Sequence, residues 1–207
     1  MHASKRVLPG FGLSLGISLF FISLVILLPL TGLFMRAAGM GWEQFWLVIS
    51  DPRVVAAYRI TVLAALAASL FNCVFGLLMA WVLVRYDFPG RRLLDALMDL
   101  PFALPTAVAG ITLATLFAES GWYGRHLAEL GIEVAYTPLG IIVAMAFTSV
   151  PFVVRTVQPV LEELSPEDEE AAMSLGASDL TVFRRILLPV LWPAVITGGA
   201  LSFARSL

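Results

Sequence analysis

The chain has 207 residues, of which 59% are hydrophobic and 14% charged, and its mean hydropathy is +0.91. This composition excludes a soluble domain with a polar exterior, so we predict a membrane protein. The formal net charge of −2 gives no sign of a nucleic-acid partner. Cys73 is the only cysteine, and His2 and His126 stand far apart in the sequence. We therefore expect no intrachain disulfide, no metal site and no catalytic histidine pair.

The first uncharged run extends from Val7 to Met35. It is longer than the apolar part of a secretory signal, which has about 7 to 15 residues, and long enough to cross a bilayer, which takes roughly 20 residues. We therefore predict an uncleaved span at residues 9–35. A signal peptide cut near Ala37 is disfavoured, because Arg36 would lie beside the cut.

A second uncharged run predicts a span at residues 60–84. Within it, small or polar residues recur every four positions and so share one helical face. They are Ala64, Ala68, Asn72, Gly76 and Ala80. Small side chains on one face let neighbouring helices approach closely. We expect Asn72 to make an interhelical hydrogen bond that fixes this packing, in preference to a direct functional role.

The third predicted span, residues 100–118, is rich in residues that disturb a helix. Pro101 and Pro105 lie in it, and a proline inside a span leaves backbone carbonyls without a hydrogen-bond donor. A membrane tolerates this only where protein or water satisfies the freed groups. The span therefore either faces a cavity or pathway, or carries a kink used for packing, with its threonines bonded back to their own helix. The sequence leaves these two interpretations equally open.

Two further spans are predicted at residues 137–156 and 187–207, and a polar interruption separates them. Ser165 can cap a helix and Pro166 suits its first position, and the acidic residues that follow lie at the positive end of the helix. Gly176 is the residue best able to leave that helix through a left-handed conformation.

A second short helix can follow this turn, capped by Ser178 or Asp179, and we expect Pro189 to disturb it. The interruption thus predicts a helix–turn–helix at residues 165–186, held on the water side of the bilayer.

If the N-terminus is inside, eight basic residues fall on the cytoplasmic side and four on the other. The inner group is Lys5, Arg6, Arg85, Arg91, Arg92, Arg155, Arg184 and Arg185, and the outer group is Arg36, Arg53, Arg59 and Arg125. Because positive residues are retained inside, we predict that the N-terminus and the helix–turn–helix are cytoplasmic.

Five spans would place Leu207 on the outer side, and no polar tail follows the last apolar run. We therefore expect at least one further span beyond this end. A charged Arg205 is energetically unfavourable in lipid unless it faces protein or water. We therefore expect neighbouring protein around this part of the last span.

A motif lies within the interruption. From Glu170 the chain reads EAA, three residues, Gly176, nine residues, Ile186, one residue, Leu188 and Pro189. This resembles the EAA motif of the membrane subunits of bacterial ATP-binding-cassette importers, and every defining position matches.

Three longer strings look like the T-type permeases of sulfate and thiosulfate importers. They are DLPFALPTAVAGITLATLF at 99–117, VAMAFTSVPFVVRTVQPVLEEL at 143–164 and LSFARSL at 201–207.

The resemblance covers most of the chain from the second span onward, and it implies an all-α polytopic membrane protein with a six-span type I importer permease core. It also implies a bacterial inner-membrane location within a complex. The other members would be a homologous W-type permease, two ATP-binding-cassette ATPase subunits and a periplasmic sulfate/thiosulfate-binding protein, with membrane lipid around the spans. The sequence contains no phosphate-binding loop of the form GxxxxGK[ST], so we expect the partner ATPases to bind ATP. The chain itself would then hold no cofactor and would not be an enzyme.

The resemblance implies that the motif residues couple the permease to its ATPase. These residues are Glu170, Ala171, Ala172, Gly176, Ile186, Leu188 and Pro189. A path for a small dianion needs neutral donors and positive potential, which broken helix ends and threonine hydroxyls can supply. We expect the path at Pro105, Thr106, Gly110, Thr112, Ser202 and Arg205.

Other functions are consistent with parts of the sequence. A molybdate or tungstate permease of the same superfamily is the nearest alternative, because those oxyanions are also tetrahedral dianions. A channel or secondary carrier that needs no ATPase is the alternative from a different class. A DNA-binding helix–turn–helix is disfavoured, because its first helix carries the acidic run Glu167 to Glu170.

Overall fold

The computed structural model describes residues 11–207, and every regular element among them is helical. The helices are α1 (Phe11–Ile22), α2 (Leu28–Ala38), α3 (Trp42–Ile49), α4 (Pro52–Arg85), α5 (Arg91–Ala103), α6 (Thr106–Phe117), α7 (Gly124–Ala128), α8 (Pro138–Glu163), α9 (Pro166–Ser174), α10 (Asp179–Val182) and α11 (Leu188–Ser206). Four of the described helices are long and apolar enough to cross a membrane, or five if one bent pair counts as a span. The prediction of an all-α polytopic membrane protein is confirmed. His2, Lys5, Arg6 and the predicted start of the first span at residue 9 lie outside the described residues.

The chain divides into two units, Met1–Ala57 and Tyr58–Leu207. In the first unit, a π-helical turn at Ser23–Leu27 joins α1 to α2, so that Phe11–Ala38 forms one apolar helix of 28 residues. Pro29 lies two residues after the end of this wide turn. Because proline lacks an N–H and its ring crowds the carbonyl four residues earlier, a local change to five-residue spacing lets the helix pass it without a break.

The second unit is built on three helices, α4, α8 and α11, which meet at Val153. A Cβ atom on Gly76 of α4 would lie 2.7 Å from Val153 Cβ, and one on Gly198 of α11 would lie 2.8 Å from Val153 Cα. Neither position has room for a larger side chain. The predicted small-residue face of α4 is confirmed, because Ala64, Ala68, Asn72, Gly76 and Ala80 are all buried.

Asn72 joins the same three helices through hydrogen bonds, as expected from the sequence. Its Nδ2 lies 3.1 Å from the Ala146 carbonyl and 2.9 Å from Ser149 Oγ, both on α8. The same nitrogen lies 3.1 Å from Ser202 Oγ on α11. Ser206 extends the cluster, with its hydroxyl 3.2 Å from that of Ser149. All of these side chains are buried, so the network fixes how the helices are aligned as well as how closely they pack.

The third predicted span is not one straight helix. Helices α5 and α6 meet at an angle of 114°, and the break lies at Leu104 and Pro105. Leu104 is extended, with ψ of 132°, as expected for a residue before proline, and Pro105 then precedes the first turn of α6. Whereas the sequence predicts one span at residues 100–118, the structure has a helix that begins earlier, at Arg91, and then turns sharply.

Gly76→Val should destabilise the protein by about 1–3 kcal/mol, because the new methyl groups must displace Val153. We expect loss of monodisperse protein at a lower temperature in detergent gel filtration after heating. Gly32→Val is the matched control, because no described atom lies within 4 Å of a Cβ atom at that helical glycine. Equal stability of the two variants would contradict this account of the packing.

Candidate functional site

The polar interruption folds as a short helix between two spans. Helix α9 begins at Pro166, and the Ser165 hydroxyl accepts a hydrogen bond from the Glu167 N–H at 3.3 Å. The predicted cap is therefore confirmed. Glu167, Asp168 and Glu169 lie in the first turn, where carboxylates interact favourably with the positive end of the helix.

Gly176 ends this helix in the predicted left-handed conformation, with φ of +89°. The Ala177 N–H donates to the Ala172 carbonyl at 3.1 Å, and the Gly176 N–H donates to the Met173 carbonyl at 2.9 Å. This pair of bonds is a Schellman motif, in which a left-handed residue lets the last carbonyls of a helix find donors. Ala172 and Ala177 also pack against the core, so the second alanine of the EAA motif anchors the turn.

The outer face of the helix and its turn is exposed. Glu170 and Ala171 point away from the core, and so do two large apolar side chains next to the turn. Leu175 is 90% exposed and Leu180 is 64% exposed, one on each side of the turn. They add exposed apolar surface to an otherwise polar part of the chain.

An ion pair holds α9 to the end of α4. Arg85 Nη2 lies 2.6 Å from Glu169 Oε1, and both side chains are largely buried, with exposures of 17% and 15%. The same nitrogen lies 3.3 Å from the Leu164 carbonyl, in the link between α8 and α9. Sequence reasoning missed this contact, because it used Arg85 only for orientation and Glu169 only as a favourable charge in the first turn.

The second short helix runs directly into the last span, and the disturbance predicted at Pro189 takes the form of a π-helical turn, not of a break. Helix α10 continues through a π-helical turn at Phe183–Leu187 into α11, and the Leu188 N–H donates to the Phe183 carbonyl. As at Pro29, the wider turn lets the helix accommodate the proline. Val182 and Leu187 are buried on this segment, so its inner face is fixed to the core.

The other motif residues lie along this continuous helix. Ile186 and Leu188 are half-buried, and Pro189 is exposed. The motif therefore extends from the outer face of α9 to the first turn of α11. Its role in coupling stays a prediction.

The predicted path residues differ in how deeply they are buried. Ser202 is fully buried in the Asn72 cluster. The others are exposed on this chain, namely Pro105, Thr106, Gly110, Thr112 and Arg205. Four of these belong to the break and to α6, and their role in a path stays a prediction. Within residues 11–207, no group of three His, Cys, Asp or Glu side chains could hold a metal ion.

Comparison with known proteins is consistent with this architecture. Residues 72–207 match the family described as binding-protein-dependent transport system inner membrane component. The chain is 67% identical over 205 residues to the sulfate transport system permease protein CysT of Salmonella typhimurium, and 66% identical over 205 residues to that of Escherichia coli. Each alignment covers 99% of this chain and 74% of the relative.

The CysT protein of Synechocystis is 49% identical over 190 residues, which cover 92% of this chain and 66% of that relative. Both the family match and these identities extend through the helix–turn–helix and the spans on either side of it. The chain therefore belongs to the family of binding-protein-dependent transport system inner membrane components, as a multi-pass permease subunit that works with other subunits and is not itself the catalytic one.

Proposed function

We propose that this chain is the membrane subunit of an ATP-driven importer that carries sulfate or thiosulfate across the cytoplasmic membrane. The substrate assignment rests on sequence identities of 67% and 66%, over 99% of this chain, to two permeases named for sulfate transport. A molybdate or tungstate permease and an ATPase-independent channel are not favoured by these relatives.

Uptake measurements in cells that lack their own sulfate permease test the substrate. Cells supplied with this permease and its partner subunits should accumulate labelled sulfate, and excess thiosulfate should compete better than excess molybdate. Uptake of molybdate in preference to sulfate would overturn the assignment.

A vesicle assay with and without ATP then separates an importer from a channel, because a channel would move sulfate without ATP.

The complex that we propose has four further components. They are a homologous W-type permease, two ATP-binding-cassette ATPases that hold the nucleotide, and a periplasmic sulfate/thiosulfate-binding protein. This chain would need no cofactor of its own. The distribution of basic residues supports a cytoplasmic N-terminus, with α9 and its turn on the cytoplasmic side where the ATPases are.

The first step of coupling takes place on the exposed face of α9. Glu170 offers a carboxylate to a basic or hydrogen-bonding group of the ATPase, and Ala171 permits close approach. Leu175 and Leu180 offer apolar surface that the partner would remove from water. Together they form a small docking surface of mixed chemistry, suited to a cleft on the ATPase.

The second step carries movement of α9 into the membrane. Helix α9 follows α8 after only Leu164 and Ser165, and it reaches α11 through the Gly176 turn and the continuous π-helical segment. The Arg85–Glu169 ion pair gives it a third connection, to α4. Because α4, α8 and α11 share one close-packed core, we expect them to respond to α9 together.

The third step concerns the path of the dianion. Helix α6 begins at the break with Thr106, so its first N–H groups lack partners within the helix and carry positive potential. Thr112 supplies a neutral hydroxyl further along, and Gly110 leaves space. Arg205, which is exposed in the last turn of α11, would add positive charge there. These groups attract a dianion without the strong binding that would hold it.

Gly176→Val should abolish sulfate uptake while leaving insertion in the membrane unchanged. A Cβ atom at Gly176 has open space around it among the described residues, so the cost comes from the left-handed conformation, about 1–3 kcal/mol for a β-branched residue. Gly131→Val is the matched control, because Gly131 has φ of +73° and equally open surroundings in a different loop. Normal uptake in Gly176→Val would contradict a coupling role for the turn.

Arg85→Ala and Glu169→Ala should each reduce sulfate uptake roughly tenfold, the effect expected when a largely buried, charge-assisted hydrogen bond is lost. The double variant should be no worse than either single variant, because one interaction is removed in all three. Arg91→Ala is the control. Its pair with Asp87 is exposed and should contribute little. Additive losses in the double variant would show that the two side chains act independently.

A further inference from the structure

A second arginine binds two carboxylates between α8 and α5. Arg155 Nε lies 2.8 Å from Asp99 Oδ1, and its Nη2 lies 2.6 Å from Asp99 Oδ2, so the guanidinium binds this carboxylate with two parallel hydrogen bonds. Its Nη1 lies 2.6 Å from Asp95 Oδ1, and Nη2 also donates to the Asp95 carbonyl at 3.0 Å. Gln158, one turn along α8, accepts from Nη1 at 2.6 Å.

The geometry is specific although the site is partly open to solvent. Exposures are 30% for the Arg155 side chain, 40% for Asp95 and 50% for Asp99, so the pairs contribute little to overall stability. A planar guanidinium shared by two acceptors nevertheless fixes direction, because its donors form a rigid fork. Asp95 and Asp99 lie four residues apart on one face of α5, where without Arg155 they would repel each other.

This contact joins α8, which leads to the coupling segment, to α5, which is the first half of the broken span. From Arg155, α8 continues past Pro159 to Glu163, about 12 Å further along the helix, and then to α9. From Asp99, α5 continues to the break before α6. In the described part of the chain, no other salt bridge joins α5 to α8.

The remaining contacts of α5 are apolar. Leu94 and Met98 pack against the core, and Phe102 meets Phe152 edge to face with ring centroids 5.1 Å apart. Apolar packing keeps α5 close to α8, but it resists sliding of one helix along the other less strongly than a guanidinium–carboxylate contact, whose donors and acceptors must stay aligned. The Arg155 contact is therefore the one that best fixes the position of α5 along α8.

We propose that Arg155 is a positioning residue that makes α5 follow α8, so that movement of α9 changes the bend before α6 and opens or closes the path. This inference rests on the proposed function of the chain as an ATP-driven importer. Without the guanidinium, α5 stays packed on the core but no longer follows α8. The ATPases would then drive α9 and α8 without moving the broken span.

The test uses the complete importer in proteoliposomes, with ATP hydrolysis and sulfate uptake measured in the same vesicles. Arg155→Gln should assemble and hydrolyse ATP, but the ATP consumed per sulfate should rise by at least about fivefold, the lower end of a typical coupling between two sites. Arg155→Lys keeps the charge without the fork and should lie between Arg155→Gln and the unmodified protein. The exchange Arg155→Asp with Asp99→Arg should restore part of the coupling.

Arg92→Gln is the matched control. Arg92 is exposed on α5 and makes no salt bridge within residues 11–207, so its loss should leave the ratio of ATP to sulfate unchanged. If uptake and hydrolysis fall in parallel with the amount of assembled complex in Arg155→Gln, the residue is merely structural and the proposal is overturned. An unchanged ratio overturns it as well.

A distance measurement separates this proposal from the substrate assignment. Spin labels at the exposed positions Leu93 and Glu163, in a Cys73→Ser background, report the position of α5 relative to the end of α8. In the unmodified importer this distance should stay the same with and without a nonhydrolysable ATP analogue, whereas in Arg155→Gln it should change or broaden. The same distance behaviour in both proteins overturns the role of Arg155. If the distances behave as expected but the unmodified importer moves no sulfate, the substrate assignment fails and the role of Arg155 stands.

Discussion

The close approach of three helices at Val153 is the constraint on which the rest of the second unit depends. Gly76 and Gly198 bring the backbones of α4 and α11 against α8 from two sides, and a larger side chain at either position would contact Val153. In a membrane, apolar side chains gain little by leaving lipid, so such helices are held by close packing and by hydrogen bonds between them. The Asn72 cluster supplies those bonds at the same interface and fixes the relative positions of the helices.

Two of the chain's prolines shape the functional parts in different ways, whereas four others lie inside continuous helices, namely Pro101, Pro151, Pro159 and Pro193. Before Pro189 the helix widens by one residue and continues, so the segment after the Gly176 turn stays rigidly joined to α11. Before Pro105 the helix stops, Leu104 becomes extended, and the chain turns by 114°. Val182 is buried just before the wide turn that precedes Pro189 and Leu187 at its end, whereas the residues at the break are mostly exposed. Packing alone does not decide the outcome, because the wide turn before Pro29 lies among exposed residues.

The features that could be predicted from the sequence are those specified locally. The cap at Ser165 and the left-handed Gly176 follow from the preferences of single residues, and the buried face with Asn72 follows from four-residue spacing. The ion pairs could not be predicted, because their partners lie far apart in the chain. Arg85 and Glu169 are separated by 84 positions, and Arg155 and Asp99 by 56, and no local pattern relates them. Whether a given proline would leave its helix intact, widen it or break it could not be predicted either, because all three outcomes occur among the described helices.

The second unit has two kinds of attachment, one inside the body formed by α4, α8 and α11 and one between that body and the helices beside it. The body of α4, α8 and α11 is held by close packing and buried hydroxyl and amide groups, which are costly to disrupt. Helices α9 and α5 instead attach to it through arginine–carboxylate contacts, at Arg85 and at Arg155, together with small or non-directional apolar contacts. The Arg155 contact is partly open to solvent, whereas the Arg85–Glu169 pair is largely buried, and both fix direction while they are formed. Directional attachments of this kind would let α9 and α5 move together with the packed body, which shifts between few arrangements and does not deform continuously.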